Sequence, residues 1–420
     1  DSYRVMPGGF ARLPVSGSPF SGILADGSIT KDVWVLDDGA KPTVQYPLPI
    51  TMQTVDLVRS TGGLQSRIAD NLFWLGRYMA RIDVSARLLR AVYTRLLNAR
   101  DGSPQAQEIT DLSRLFWAHG LVPWDEPITP HAAGEIPEIL LQATGGDGPL
   151  QNDFAQTYRL MMGLRDRCSA DMWDVLSEFT GPMADQVDHA TGDLDLSLQV
   201  FDDVLRRGLA FGGMVAEGMV RGSGWSFLQF GRRLEHALFS LRSVQACCGQ
   251  GMTPDKMHLR LALELGDALI TYRNRYLSVL QPRPVLDLLL NDETNPRSLL
   301  FQLDAMERHT QAFPSRPQGM PDDELAALKT QVGQVVDSFI ADQNPGVDES
   351  VQLDGQLFDV EQRLMAIAEH ISRVYFIHSQ GERLLGADWR PSNQAQGTGQ
   401  GAGQGPVQGA GQGTPQGLAT

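Results

Sequence analysis

The spacing of hydrophobic and polar residues changes once along this chain. Through residue 38 the apolar residues come in short alternating runs, "YRVMPGGFARL" and "KDVWVL", separated by Gly, Ser and Pro. That is the pattern of β-strands and turns. Two short strands do not make an independent domain, so residues 1–38 read as a β and irregular remnant that completes something else. Residues 39–65, around "GAKPTVQYPLP", read as a linker. From residue 66 onward apolar positions recur at i, i+3, i+4 and i+7, the period of amphipathic helices. "SRIADNLFWLGRYMARIDVSARLLRAVYTRLLN" predicts one long helix capped at Ser66. "DFAQTYRLMMGLRDR" follows, then "SADMWDVLSEF" with Ser169 as N-cap and Asp171 in the first turn. "MHLRLALELGDALITYRNRYL" reads as a single helix, and a cap around Asp292, Asn295 and Arg297 is expected for a helix starting at Pro296. Nothing in 66–380 reads as a strand. The fold expected there is all-α, a multi-helix bundle of roughly nine or ten helices. After Trp389 the chain is Gly, Gln, Ala, Ser, Thr and Pro. So little apolar bulk cannot offset ordering entropy, and 390–420 is expected to be a disordered tail.

The bundle repeats itself. "NLFWLGRYMARIDVSARLLRA" set over "SFLQFGRRLEHALFSLRSVQA" aligns Gly76 with Gly231, Arg77 with Arg232 and Arg87 with Arg242, along with Phe73 and Leu228. A helix-interior glycine costs about 1 kcal/mol. Two at equivalent positions predict a close helix crossing, and with it two related halves.

Charge complicates the first helix. Its pattern is that of a buried element, yet it carries Arg67, Arg77, Arg81, Arg87 and Arg90 with Asp70 and Asp83. Asp70, Trp74, Arg77 and Arg81 share one face, and Asp83 with Arg87 forms an i,i+4 pair elsewhere. In the second copy Glu235 and Arg242 share a face, with Arg232 one turn before. Arg159, Asp166 and Arg167, and Glu369, His370 and Arg373, are similar sets. A solvated helix face accounts for any one of them. As a set beside Trp74, Trp173, Trp225, Phe227 and Phe230, they are expected to converge in one interior layer, where charges must be paired. Such a network is either architectural or the lining of a site for an anionic ligand, and the pattern leaves both open.

Composition removes several classes. The net charge is −15 and the pI near 4.9, which argues against binding nucleic acid or anionic membrane surfaces through a cationic footprint. Cys168, Cys247 and Cys248 make neither a disulfide framework nor a zinc spacing, so a reducing cytoplasm is the expected location. The adjacent pair ends a helix and is expected to be buried. No apolar run approaches a membrane span. A di-iron bundle needs Glu-x-x-His motifs that the sequence lacks; there is no His-Glu-x-x-His, Walker loop or dinucleotide fingerprint either. No metal is expected. The chain opens with Asp1 in a dense stretch and reads as a fragment of a longer protein.

Five ordered motifs, "NLFWLGRYMARIDVSARLL", "LRDRCSADMWDVL", "GWSFLQFGRRLEHAL", "YRNRYL" and "VLDLLLNDETNPRSLLFQL", together resemble the alpha-E family, a bacterial all-helical domain named for its glutamates and arginines. The likeness runs over about residues 66–378. That family's first helix reads "AENLFWLGRY.ER"; here Asp70 and Ala80 replace the two glutamates. In the second copy Glu235 is kept and His236 stands where arginine is usual. "YRVMPGGFARL" followed by "KDVWVL" resembles the C-terminal end of the circularly permuted ATP-grasp family, which often leads into an alpha-E domain.

The resemblance implies a bifunctional polypeptide whose ATP-grasp body, with ATP and Mg, forms acyl phosphates and passes them to an amine. Arg4 and Lys31 are then candidate phosphate contacts. It also implies partnership with transglutaminase-like and peptidase proteins in peptide synthesis or modification. The helical domain itself is expected to need no cofactor. Its expected role is a partner module of an amide ligase that binds the peptide substrate or organises the assembly. In the alternative, the domain is itself catalytic, with Glu235 as general acid or base and Arg77 and Arg232 as anion clamps. Arginines beside Glu235 would lower its pKa and disfavour that base. Candidate binding residues are therefore Asp70, Arg77, Arg81, Arg159, Asp166, Arg232 and Arg242.

Overall fold

A computed structural model describes residues 8–13, 29–34, 64–98, 108–109, 112, 115–121, 136–249, 255–276, 279–314, 322–340 and 347–376. Arg4, the Gly/Gln-rich tail and all of the expected linker but residues 64–65 lie outside them. The chain divides into two compact units, Asp1–Ser60 and Thr61–Thr420.

In the first unit β1 (Gly8–Leu13) pairs antiparallel with β2 (Ile29–Trp34), Phe10 opposite Asp32 and Ala11 opposite Lys31. The alternating runs thus form the strands that their period predicts.

Among its described residues the second unit has helices joined by turns and no strand. Its elements are α1 (Ser66–Asn98), α2 (Ile136–Thr144), α3 (Pro149–Met162), α4 (Ala170–Ala190), α5 (Leu194–Gly218) and α6 (Ser223–Cys248). They are followed by α7 (Lys256–Leu265), α8 (Leu269–Tyr276), α9 (Pro282–Leu286), α10 (Leu299–Thr310), α11 (Asp322–Ile340) and α12 (Val347–Tyr375).

Local chemistry sets several boundaries. The Ser169 side chain accepts a hydrogen bond from the Met172 backbone N–H at the start of α4, the cap that the sequence predicts. Proline opens α3, where its missing N–H costs nothing. Other boundaries differ from expectation. α1 begins at Ser66 instead of being capped by it. "DFAQTYRLMMGLRDR" breaks at Gly163 into α3 and a 3₁₀ turn, Arg165–Arg167. "MHLRLALELGDALITYRNRYL" is two helices, because the chain turns at Gly266 and at Asp267, whose φ of 51° is left-handed. The cap of α10 is Ser298, which accepts from the Phe301 N–H, two residues beyond the proline expected to open it. Asn295 instead turns the approach, donating to the Leu288 carbonyl and accepting from the Arg297 N–H.

The helices form two rings of four. In the first, α1 packs on α3, α3 on α4, α4 on α5 and α5 back on α1. In the second, α6 packs on α10, α10 on α11, α11 on α12 and α12 back on α6. The two rings have the same connectivity in the same chain order, so α1, α3, α4 and α5 correspond to α6, α10, α11 and α12. The rings join where α1 crosses α6. A Cβ at Gly76 would lie 2.1 Å from the Leu228 carbonyl oxygen, and one at Gly231 would lie 2.2 Å from that of Phe73. Leu228 and Phe73 are themselves repeat equivalents. The glycine pair therefore marks a close backbone crossing with local twofold symmetry. Cys247 and Cys248 are buried at the end of α6, where burial pushes the Cys248 thiol up to about 12.

Candidate functional site

The crossing carries charge inside. Next to Gly76, Arg77 is 6% exposed, and its Nε donates to Glu235 Oε1 at 2.6 Å. Arg81, one turn on, donates its Nε to the same oxygen at 3.1 Å. The Arg77 guanidinium lies 4.6 Å from the centre of the Trp74 ring, so its flat face is covered while its edge is hydrogen-bonded. Glu235 is held by two cations from the other ring of helices. Deleting one partner of such a buried pair leaves an uncompensated charge, at a cost of about 3–5 kcal/mol.

Beside this pair is a cavity of about 250 Å³. It lies between α1, α3, α6 and α12 and the turn at residues 119–121. Trp74, Arg77, Arg81, Asp153, Glu235 and Arg242 supply its chemistry. Arg242 is anchored from behind, its Nε donating to Glu361 Oε1 of α12 at 2.8 Å.

The two cavity carboxyls are pushed in opposite directions. Burial raises Glu235, but the charges of Arg81 and Arg77 and the Arg77 hydrogen bond outweigh it and bring the group down to about 2. Burial also raises Asp153; Arg81 opposes and Glu235 adds to the rise, leaving it at about 7. His119, also at the rim, is held neutral by burial and then by the charge of Arg242. The site thus pairs a permanently ionised carboxylate with a carboxyl that exchanges its proton near neutrality. Divergent carboxyls of this kind mark acid and base assignments in known sites.

Of the residues singled out in the sequence, Arg77, Arg81, Glu235 and Arg242 meet here. Arg232 lies across the crossing, in the other ring's equivalent position. Asp70 is 2% exposed but does not line the cavity. The expectation of one interior layer fails for the remaining sets. Arg159, Asp166 and Arg167 are exposed, and Glu369 and Arg373 pair with each other at 2.9 Å on the outer face of α12. Those sets are solvated faces. Lys31 is exposed on β2 of the first unit. Asp153 escaped the sequence reading because "QNDFAQTYRL" gives one acid on an ordinary amphipathic helix. Its only signal is that it sits on the same face of α3 as the buried Leu150, Phe154 and Thr157. Among the described residues no group of three His, Cys, Asp or Glu side chains is arranged to hold a metal ion.

A family model described as a predicted alpha-helical domain with a conserved ER motif matches residues 64–376. The chain belongs to the Alpha-E family. The match begins and ends within a few residues of α1 and α12, so the Alpha-E domain is the pair of four-helix rings. Similar proteins include uncharacterized proteins of Mycobacterium tuberculosis and Mycobacterium bovis, each 26% identical over 345 residues, covering 74% of this chain and 38% of the relative. The chain therefore spans well under half the length of these curated relatives. No solved structure matches it. No helix of the Alpha-E domain's described residues is long and apolar enough to cross a membrane.

Proposed function

We propose that this Alpha-E domain is a substrate-binding module of a longer, ATP-dependent amide ligase, and that its cavity holds the zwitterionic end of an amino acid or peptide. The observation that carries the reading is the cavity's charge layout. Arg81 and Arg242 offer guanidinium groups to a carboxylate, while Asp153 and Glu235 offer carboxylates to an ammonium. The likeness of residues 1–36 to the end of a circularly permuted ATP-grasp domain, and the greater length of the relatives, support placing the module in such a polypeptide. In that arrangement ATP and Mg belong to the ATP-grasp part, and the transglutaminase-like and peptidase proteins act on the same peptide.

Titration calorimetry with L-alanyl-L-alanine tests the reading. Saturable binding is expected, tighter at pH 8 than at pH 5 because Asp153 must ionise to hold an ammonium group. Arg81→Ala and Asp153→Asn should each weaken it roughly tenfold or more, the worth of a charge-assisted hydrogen bond. Absence of binding, or binding unaffected by both variants, would contradict the proposal.

One observation favours a second reading, in which the domain is catalytic. A carboxyl near 7 is suited to proton transfer at neutral pH, and Asp153 meets that condition while Glu235 at about 2 does not. Under it Asp153→Asn would bind the dipeptide normally and abolish turnover in the full-length protein.

A further inference from the structure

The twofold relation at the helix crossing gives the Glu235 cavity a counterpart in the second ring. Arg77 and Arg81, which hold Glu235, correspond to Arg232 and His236. Glu235 itself corresponds to Ala80, which is 2% exposed and carries no acid. The first cavity lies between α3 and α12, so its counterpart is expected between α10 and α5. The side chains agree: the Arg232 Nη2 would lie 3.0 Å from a Cβ on Gly212 of α5, and Arg233 stacks over Phe301 of α10, 5.5 Å from the ring centre.

This counterpart has too many cations. Arg87, Arg232 and Arg297 share one carboxylate, Asp83, and Arg233 adds its charge beside Arg232 and Arg297. Asp83 is already taken, accepting from Arg87 Nε at 3.0 Å and from an Arg297 Nη at 3.5 Å. Among the described residues Arg232 has neither a hydrogen-bond acceptor nor an ion-pair partner. Beside it, Arg233 Nε and His236 Nδ1 are buried without a partner. Guanidinium groups crowded together at a half-buried site favour compensating negative charge, and the chain supplies none at Ala80, where its own symmetry places a glutamate. The region is reachable, since Arg232 is half-buried and the Arg297 side chain is 21% exposed.

We propose that Arg232, with His236, Arg233 and Arg297, forms a second ligand site that takes a carboxylate, seated where Glu235 sits in the first ring. The site does not depend on the dipeptide reading of the first cavity. The ligand class is a small di- or monocarboxylate or the carboxylate of an acidic peptide, and its oxygens accept from the Arg232 fork as Glu235 accepts from Arg77. His236 is held neutral by burial and the surrounding arginines, and so contributes its N–H as a donor.

The test is the melting temperature of the whole chain against succinate concentration, at ionic strength held constant with sodium chloride. Succinate should raise it saturably, as a ligand binding only the folded state must. The rise should vanish in Arg232→Gln and in Arg297→Gln and persist in Arg81→Gln, which alters only the first cavity. Ala80→Glu supplies the missing acid: it should melt higher than wild type without succinate and respond no further. If Ala80→Glu fails to fold, the two glutamine variants carry the test alone. No rise in wild type, or a rise that survives Arg232→Gln, would overturn the site. A rise with inorganic phosphate and none with succinate would overturn its carboxylate class.

Discussion

Gly76 and Gly231 occupy equivalent places in two helices, and each leaves room for the other helix's backbone. A Cβ on the first would sit 2.1 Å from the Leu228 carbonyl oxygen, and one on the second 2.2 Å from that of Phe73. The pair lets α1 and α6 approach closely enough for Arg77 and Arg81 to reach Glu235. Without that approach the three charges would belong to separate surfaces.

Gly76→Ala should therefore destabilise the domain by about 3 kcal/mol or more in urea denaturation, since backbone on both sides resists the added methyl. Gly213→Ala is the control. A Cβ there meets nothing within 4 Å, and the helix-propensity gain should stabilise the chain by about 0.5–1 kcal/mol.

Glu235 links stability to acid. Its folded pKa of about 2 lies below the ordinary 4.5, so the stabilisation is complete above pH 4.5 and is lost as pH falls toward 2, about 3 kcal/mol in all. Glu235→Gln should remove this acid-dependent component. It should also lower stability at pH 7, because Arg77 is left buried without its anion. Denaturation curves between pH 2.5 and 7 compare the two proteins directly.

Asp153 works in the opposite direction. Its folded pKa of about 7 exceeds the ordinary 3.8, so the ionised group costs stability as pH rises from 3.8, with the full cost reached above 7. Asp153→Asn should raise the melting temperature at pH 8 and change little at pH 4. A carboxyl signal titrating near 7 by NMR in wild type, absent in the variant, would establish the assignment.

Gly212 on α5 gives the Arg232 guanidinium its space, since a Cβ there would lie 3.0 Å from one nitrogen and 3.5 Å from the other. Gly212→Ala should displace that fork and weaken the succinate response while changing stability by about 1 kcal/mol or less, because a flexible side-chain end can move aside. Thermal shift with and without succinate reads both effects.

Helical period and the repeated Gly-Arg pair made the fold and the crossing legible in sequence, because 3.6-residue spacing and a glycine in a helix interior each have a narrow physical meaning. Arg77, Arg81 and Glu235 were legible as a network for the same reason, since charges on a helix that is otherwise apolar need partners. Boundaries were less legible. Asp267 turns the chain in a left-handed conformation that an aspartate tolerates but does not announce, and Ser298 and Asn295 both have capping chemistry, so only packing decides between them. Arg159 and Asp166 look like Arg77 and Glu235 in sequence and end up in solvent, because which face a helix buries depends on its neighbours. Asp153 was missed outright: its role comes from Arg81 and Glu235, on helices far from it in sequence.

A double-mutant cycle between Arg77→Met and Glu235→Gln, measured by urea denaturation at pH 7, tests the central claim most directly. A buried pair formed across the α1–α6 crossing predicts a coupling energy of about 2–3 kcal/mol. Coupling below about 0.5 kcal/mol, the value of an exposed pair, would contradict it.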